Sequence, residues 1–297
     1  MNLLKKLRPA LSLILLFMAL AAGIYYLSSH RNLLRQLGHT HLSVLIAVFG
    51  LYVVMFGVLV LILSASLKLC ARRLAPKENA KLNVYSLLLN FFVPGQSGPA
   101  YRGAYLYKRH NLRVKSYIGI TLIYFLFYAL ISLFLLLLTR FAWWQTVLAL
   151  VIMSGLGLLV IRRYSARTKF LQASLSLTPM NVMLLFLATV LQAIVQVTIY
   201  AVELHSVNHH IYLSQIITYT GAANLALFVS LTPGAIGIRE SFLIFTEHLH
   251  HISSANIILA NVIDRSVYLI FLLILVVLVS IWQIKNKWDS KHATAAV

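Results

Sequence analysis

The chain has 297 residues, of which 61% are apolar and 10% charged, with a mean hydropathy of +0.87. A soluble domain carries roughly a quarter charged residues, so the composition excludes that class and predicts an all-α polytopic membrane protein. The 25 Lys and Arg against 6 Asp and Glu give a net charge of +19; these positives sit in short loops between apolar runs, where they report topology and not a nucleic-acid partner.

A crossing helix needs about 20 mostly apolar residues. Leu11 to Leu27 is the first candidate. Lys5, Lys6 and Arg8 before it and Ala19-Leu20-Ala21 within it resemble a signal peptide, but no soluble domain follows for export, so it reads as a retained helix. Leu42 to Leu67 is the second crossing, and the single Cys70 beyond it reads as packing. Leu82 to Tyr107 is apolar but broken by Pro94-Gly95-Gln96-Ser97-Gly98. Its first arm, Leu82 to Val93, rises only about 18 Å as a helix against a hydrocarbon core of roughly 30 Å, which predicts a hairpin that enters and turns back. Tyr117 to Leu138, Phe141 to Ile161 and Val182 to Val202 are further crossings. Ile211 to Leu249 is broken by Pro233-Gly234-Ala235-Ile236-Gly237, the same P-G-x-x-G string 139 positions after the first. Its first arm is long enough to cross but carries Ser214, Gln215, Thr218, Tyr219, Thr220 and Asn224, which lipid would not satisfy. It therefore reads as the protein-buried half of a second hairpin. Ile257 to Ile281 is the sixth full crossing.

With the N-terminus in the cytoplasm, 19 of the 25 positives fall in inside segments, only Arg31, Arg35 and Arg140 fall outside, and Arg102, Arg239 and Arg265 lie within apolar segments. Both termini are thus expected in the cytoplasm. The order becomes span, span, hairpin from inside, span, then span, span, hairpin from outside, span. This predicts an inverted repeat: residues 1–140 with hairpin 82–107, residues 141–284 with hairpin 211–249, and a short tail 285–297. Chance recurrence of the string is the plainer alternative. Broken helices in inverted repeats are a transporter architecture.

Pro94 and Pro233 end a helix, and Gly95, Gly98, Gly234 and Gly237 permit the reversal. A new helix opens there with unpaired N–H groups and the positive end of its dipole. Arg102 and Arg239 follow closely, each suited to a two-pronged grip on a phosphate. The alternative is internal pairing: Glu240 and Asp264 neighbour Arg239 and Arg265, and these ions form either a structural network or a route for a coupling proton. His205, His209, His210, His248, His250 and His251 flank the second hairpin. Without Cys partners they read as a solvated loop tuned to pH or anionic headgroups, and no metal site is assigned. Trp143-Trp144 and Tyr25-Tyr26 read as interface anchors. The chain carries no G-x-S-x-G, Walker loop or H-E-x-x-H. No enzyme or cofactor is expected, and an intramembrane transferase using Asp264 or Glu240 as base has no nameable donor site.

At these residues the chain resembles the flippase-like transmembrane domain of bacterial lysylphosphatidylglycerol synthases, over nearly its whole length. Leu231-Thr232-Pro233-Gly234-Ala235-Ile236-Gly237-Ile238-Arg239-Glu240 is similar to that family's late L-x-P-G-x-x-G-x-R-E string, and Asn90 to Gly98 with Arg102 to its early motif. Two departures stand out: Pro99 where the family usually has Glu, and the aromatic run Tyr124, Phe125, Phe127 and Tyr128 where charges are common. The resemblance implies a stand-alone member without the aminoacyltransferase domain, in the bacterial inner membrane, translocating an anionic lipid (a phospholipid or a polyprenyl phosphate). The alternative is a non-transporting lipid-binding subunit that scaffolds a separate envelope-lipid transferase.

Overall fold

The computed structural model describes residues 40–93, 97–139, 141–142, 144–148, 178–229 and 238–295, with side chains of the last helix as far as Trp282. The expected crossing Leu11 to Leu27, most of Phe141 to Ile161, the turn residues Pro94, Gly95, Pro233, Gly234 and Gly237, and Arg31, Arg35 and Arg140 lie outside the described residues. The helices are α1 (Leu42–Lys68), α2 (Pro76–Phe92), α3 (Ser97–His110), α4 (Val114–Leu137), α5 (Pro179–Val207), α6 (Leu213–Val229), α7 (Ile238–Phe245), α8 (Glu247–His250) and α9 (Ser254–Ala295). No strand occurs among the described residues. Four stretches there are long and apolar enough to cross a membrane, α1, α4, α5 and Ser254–Trp282 of α9. Each matches an expected crossing to within a few residues.

Local sequence explains where the helices break. Pro76 opens α2 and Pro179 opens α5, both in the first turn where the missing N–H costs nothing. Thr178 caps α5, its Oγ1 accepting from the Asn181 N–H at 3.4 Å. α2 ends because Val93, the residue before Pro94, takes the extended conformation (φ −115°, ψ 132°) that a following proline imposes. His251, at φ 55°, closes α8 in the left-handed region. α2 begins six residues before the expected first arm, since Lys77 and Glu78 lower the hydropathy of its first turn without breaking the helix. At 17 residues each, α2 and α6 rise about 25 Å. α9 continues through most of the segment expected as a tail.

α1 lies along α5, α4 crosses α6, and α9 packs against α5, α1, α2 and α7. The core between them holds Val48, Leu63, Leu67, Leu185, Ile199, Leu204, Ile216, Leu243 and Leu272. Met183, Leu187, Leu191 and Ile194 recur at helical spacing on one face of α5 and are each roughly half exposed, as a lipid-facing stripe should be. The polar residues of α6 face the other way: Thr218, Tyr219, Thr220 and Asn224 are buried in protein, as their cost in lipid requires. The crossing of α4 and α6 is a backbone contact. A Cβ on Gly221 would stand 2.6 Å from the Ser132 carbonyl oxygen and as close to the Leu136 backbone, so only glycine fits.

α2 and α3 form a closed pair. The Tyr105 hydroxyl donates to Glu78 Oε1 at 2.6 Å and His110 Nε2 lies 2.9 Å from the same oxygen, joining the start of α2 to the end of α3. At the other end, Gly98 approaches so closely that a Cβ would meet Ser86 and stand 2.7 Å from Asn90 Oδ1. Burial alone would raise the Glu78 pKa, but the bonds from Tyr105 and His110 outweigh it and hold the carboxyl below its usual range.

Candidate functional site

Between these helices lies a cavity of about 320 Å³. Its walls are mostly apolar and aromatic, with Met55, Phe56 and Leu59 from α1, Phe91 from α2, Phe125 from α4 and Phe271 from α9. Polar groups also converge on it, as at a ligand site. They are Tyr52, Asn90, Arg102, Tyr124, Tyr128, Gln192, Gln196, Tyr200, Arg239, Asp264, Arg265 and Tyr268. The cavity therefore brings together Arg102 from the first broken helix pair and Arg239 from the second, separated by 137 positions in the chain.

The three intramembrane arginines are not equivalent. Arg239, 5% exposed, donates from Nη1 to Asp264 Oδ2 at 2.7 Å and from Nη2 to the Tyr200 hydroxyl at 2.8 Å. Its guanidinium carbon also stands 5.1 Å from the Tyr200 ring centroid. Asp264 Oδ1 accepts from the Tyr52 hydroxyl. Arg265 Nη2 reaches Glu240 Oε1 at 3.4 Å. Residues adjacent in sequence thus pair crosswise, Arg239 with Asp264 and Glu240 with Arg265, tying α7 to α9 at two successive positions. Successive helix residues point about 100° apart, so neither acid can serve its own neighbour. Arg239 and Arg265 are thus internally paired while both also line the cavity. Arg102 lines the cavity with no carboxylate partner among the described residues, and its Nε is buried with no hydrogen bond.

Where α3 opens, its first turn is already capped. Asn90 Oδ1 accepts from the Gly98 N–H at 2.8 Å and Ser97 Oγ donates to the Leu89 carbonyl at 2.8 Å. Asn90 thus holds the N-terminal turn of α3 beside the cavity, and Arg102 projects from the next turn. Across the cavity, Tyr124 donates to Gln192 Oε1 at 3.0 Å, so part of the aromatic run on α4 is a polar wall.

Several site residues escaped the sequence reading: Tyr52, Asn90, Gln192, Gln196, Tyr200 and Glu203. A signal for four of them exists. Gln192, Gln196, Tyr200 and Glu203 repeat at four, four and three positions, a polar stripe on one face of an otherwise apolar helix. Glu203 is 1% exposed. Of the histidines, His250 is buried, with Nε2 3.0 Å from the Leu243 carbonyl and Nδ1 accepting from the Ile252 N–H at 3.1 Å. It closes the α7–α8 corner, and burial pulls its pKa down, as expected for a neutral ring. His205 Nε2 lies 2.9 Å from the Ile211 carbonyl, while His209 and His248 are exposed. Among the described residues, no three His, Cys, Asp or Glu side chains converge on a common point.

A family model described as the lysylphosphatidylglycerol synthase TM region matches residues 7–275. The chain belongs to this family. The match takes in both broken helix pairs and every polar residue of the cavity. The lysylphosphatidylglycerol synthase TM region is a membrane domain related to lipid handling, and this member is a multi-pass, all-helical membrane protein. No curated protein matches the chain.

Proposed function

We propose that the protein moves an anionic lipid across the bacterial inner membrane, its headgroup phosphate held in the cavity by Arg102. In this reading both termini are cytoplasmic, six helices span, and the α2–α3 pair and the α6–α7 region are re-entrant hairpins of an inverted repeat that meet at the cavity. The observation that carries the proposal is Arg102, whose Nε is buried without a hydrogen bond and which has no carboxylate partner among the described residues, lining a cavity of about 320 Å³. An unpaired cation in a membrane interior costs several kcal/mol, and an anion that enters removes that cost. A guanidinium offers a phosphodiester two parallel hydrogen bonds, and Gln192, Gln196 and Tyr124 provide neutral partners beside it. The aromatic walls suit the glycerol and the upper acyl chain. No step of this cycle makes or breaks a covalent bond, and no cofactor enters it.

A second reading, a static lipid-binding subunit that supports a separate transferase, is favoured by the two crosswise ion pairs, which fasten α7 to α9. Binding of phosphatidylglycerol to the protein in phosphatidylcholine nanodiscs tests the shared core of both readings. Arg102→Gln should lower that affinity at least tenfold without loss of thermal stability, because it removes a charge that no carboxylate contacts among the described residues. Unchanged affinity in Arg102→Gln would remove Arg102 from the site.

A further inference from the structure

We propose that the cavity selects its lipid by the charge at the far end of the headgroup: it takes a phosphodiester whose headgroup is otherwise uncharged and rejects one that carries an ammonium. This inference rests on the functional reading above and narrows the substrate class within it. The cavity wall holds three guanidiniums, Arg102, Arg239 and Arg265, against one carboxylate, Asp264. Both Asp264 oxygens are engaged, since Oδ1 accepts from Tyr52 and Oδ2 from Arg239. A phosphate that enters meets donors on several sides. An ammonium beside it meets fixed cations and no free carboxylate.

The whole chain contains only 6 Asp and Glu, so the search for another acceptor is exhaustive. Glu78 is held by Tyr105 and His110, at the end of the α2–α3 pair away from Asn90. Glu240 pairs with Arg265, and Glu247 accepts from the Ser254 hydroxyl at 2.7 Å, at the α8–α9 corner. Asp289 follows Asp264 on the same continuous helix, about 37 Å further along its axis. Glu203 is buried but does not line the cavity. Aromatic faces are the other recourse of an ammonium, and several here are already engaged. The Arg239 guanidinium carbon stands 5.1 Å from the Tyr200 centroid, Tyr124 stacks with Tyr128, and Tyr52 stacks with Phe271. Like charges repel strongly away from bulk water, and a desolvated ammonium without a partner is costly. An ammonium-bearing headgroup therefore loses what its phosphate gains at Arg102. A headgroup that ends in hydroxyls meets Gln196, Tyr128 and Tyr268 in the same wall, neutral groups able to serve it.

The test is displacement of acyl-labelled fluorescent phosphatidylglycerol from the full-length protein in phosphatidylcholine nanodiscs. The competitors are phosphatidylglycerol, phosphatidylethanol, phosphatidylethanolamine and lysylphosphatidylglycerol. Phosphatidylethanol and phosphatidylethanolamine differ by one ammonium, so that pair separates charge from size. The first two lipids should displace the probe, and the last two should need at least about tenfold more. Gln196→Glu places an acid in the wall and should narrow the gap between phosphatidylethanol and phosphatidylethanolamine several-fold. Equal displacement by these two lipids in the wild type overturns the proposal while leaving the functional reading intact. A gap that a folded Gln196→Glu leaves unchanged also overturns it, for charge is then not what excludes the ammonium. Should that variant fail to fold, the four-lipid series on the wild type decides alone. If fluorescent phosphatidylglycerol itself does not bind, the functional reading fails and the selectivity with it.

Discussion

Replacing Arg239 by Met removes the donor to Asp264 Oδ2 and the donor to the Tyr200 hydroxyl at one stroke, both within 2.8 Å. The side chain is 6% exposed and its partner 5%, so water cannot compensate either group. Taking one partner from a buried pair typically costs about 3–5 kcal/mol, much of it the penalty of the stranded charge. Asp264 retains the Tyr52 hydroxyl, which places the expected loss near the lower end, about 3 kcal/mol. At about 2–4 °C per kcal/mol for chains of this order, the Tm in detergent should fall by roughly 6–12 °C. The double variant Arg239→Met/Asp264→Leu leaves no charge stranded and fills the same volume with apolar atoms, so it should regain at least about half of that loss. Thermal unfolding of the wild type, both single variants and the double variant, followed by intrinsic fluorescence, completes the cycle. If the double variant is no more stable than Arg239→Met, the two side chains are not coupled and the crosswise tie between α7 and α9 does not hold the fold.

Three further outcomes follow from the packing and the charges. Gly221→Leu forces a side chain into the α4–α6 backbone contact and should lower stability by about 3 kcal/mol or more, read as Tm, whereas the same change at Gly57, where a Cβ meets nothing within 4 Å, should be near neutral. The Glu78 carboxyl has a lowered folded pKa, so its contribution is present above the unfolded value and lost as pH falls through the folded one; with the side chain 30% exposed, the effect should stay below about 1 kcal/mol. A chemical-denaturation series in acid should show it in wild type and not in Glu78→Gln. For topology, Ala80→Cys and His110→Cys, at the two ends of the α2–α3 pair, should be labelled by an impermeant thiol reagent from the same side of the membrane, in a Cys70→Ser background. Labelling from opposite sides would make that pair a full crossing.

Hydropathy located α1, α4, α5 and α9 because the membrane rewards long apolar runs whatever their tertiary partners. It placed the start of α2 too late, since Lys77 and Glu78 sit in an aqueous first turn that an apolar window cannot see. The arginines and acids of the cavity stood out as ions in apolar segments, which is a strong signal. Their pairing was not readable: which carboxylate Arg239 reaches depends on the rotation of α7 against α9, a packing property. Glu203 was hidden for a related reason. It sits near the end of a long apolar helix, where a charge resembles a solvated terminus, and only the packing of other helices against α5 makes it buried. Asn90 was quoted as part of a motif, yet its bond to the Gly98 N–H is a contact across the hairpin that a linear string does not display.

Reconstitution decides the central claim. Purified protein in liposomes, with fluorescent phosphatidylglycerol or fluorescent phosphatidylcholine in both leaflets and a quencher added outside, reports the fraction of each lipid that reaches the outer leaflet. Anionic-lipid movement through a cavity gated by Arg102 predicts that phosphatidylglycerol becomes fully quenchable in wild-type vesicles, that phosphatidylcholine stays at the protein-free level, and that Arg102→Gln returns phosphatidylglycerol to that level. Phosphatidylglycerol that binds the wild type but is quenched no further than in empty liposomes, with and without an imposed pH gradient, would contradict translocation and leave the static lipid-binding subunit as the reading of this fold.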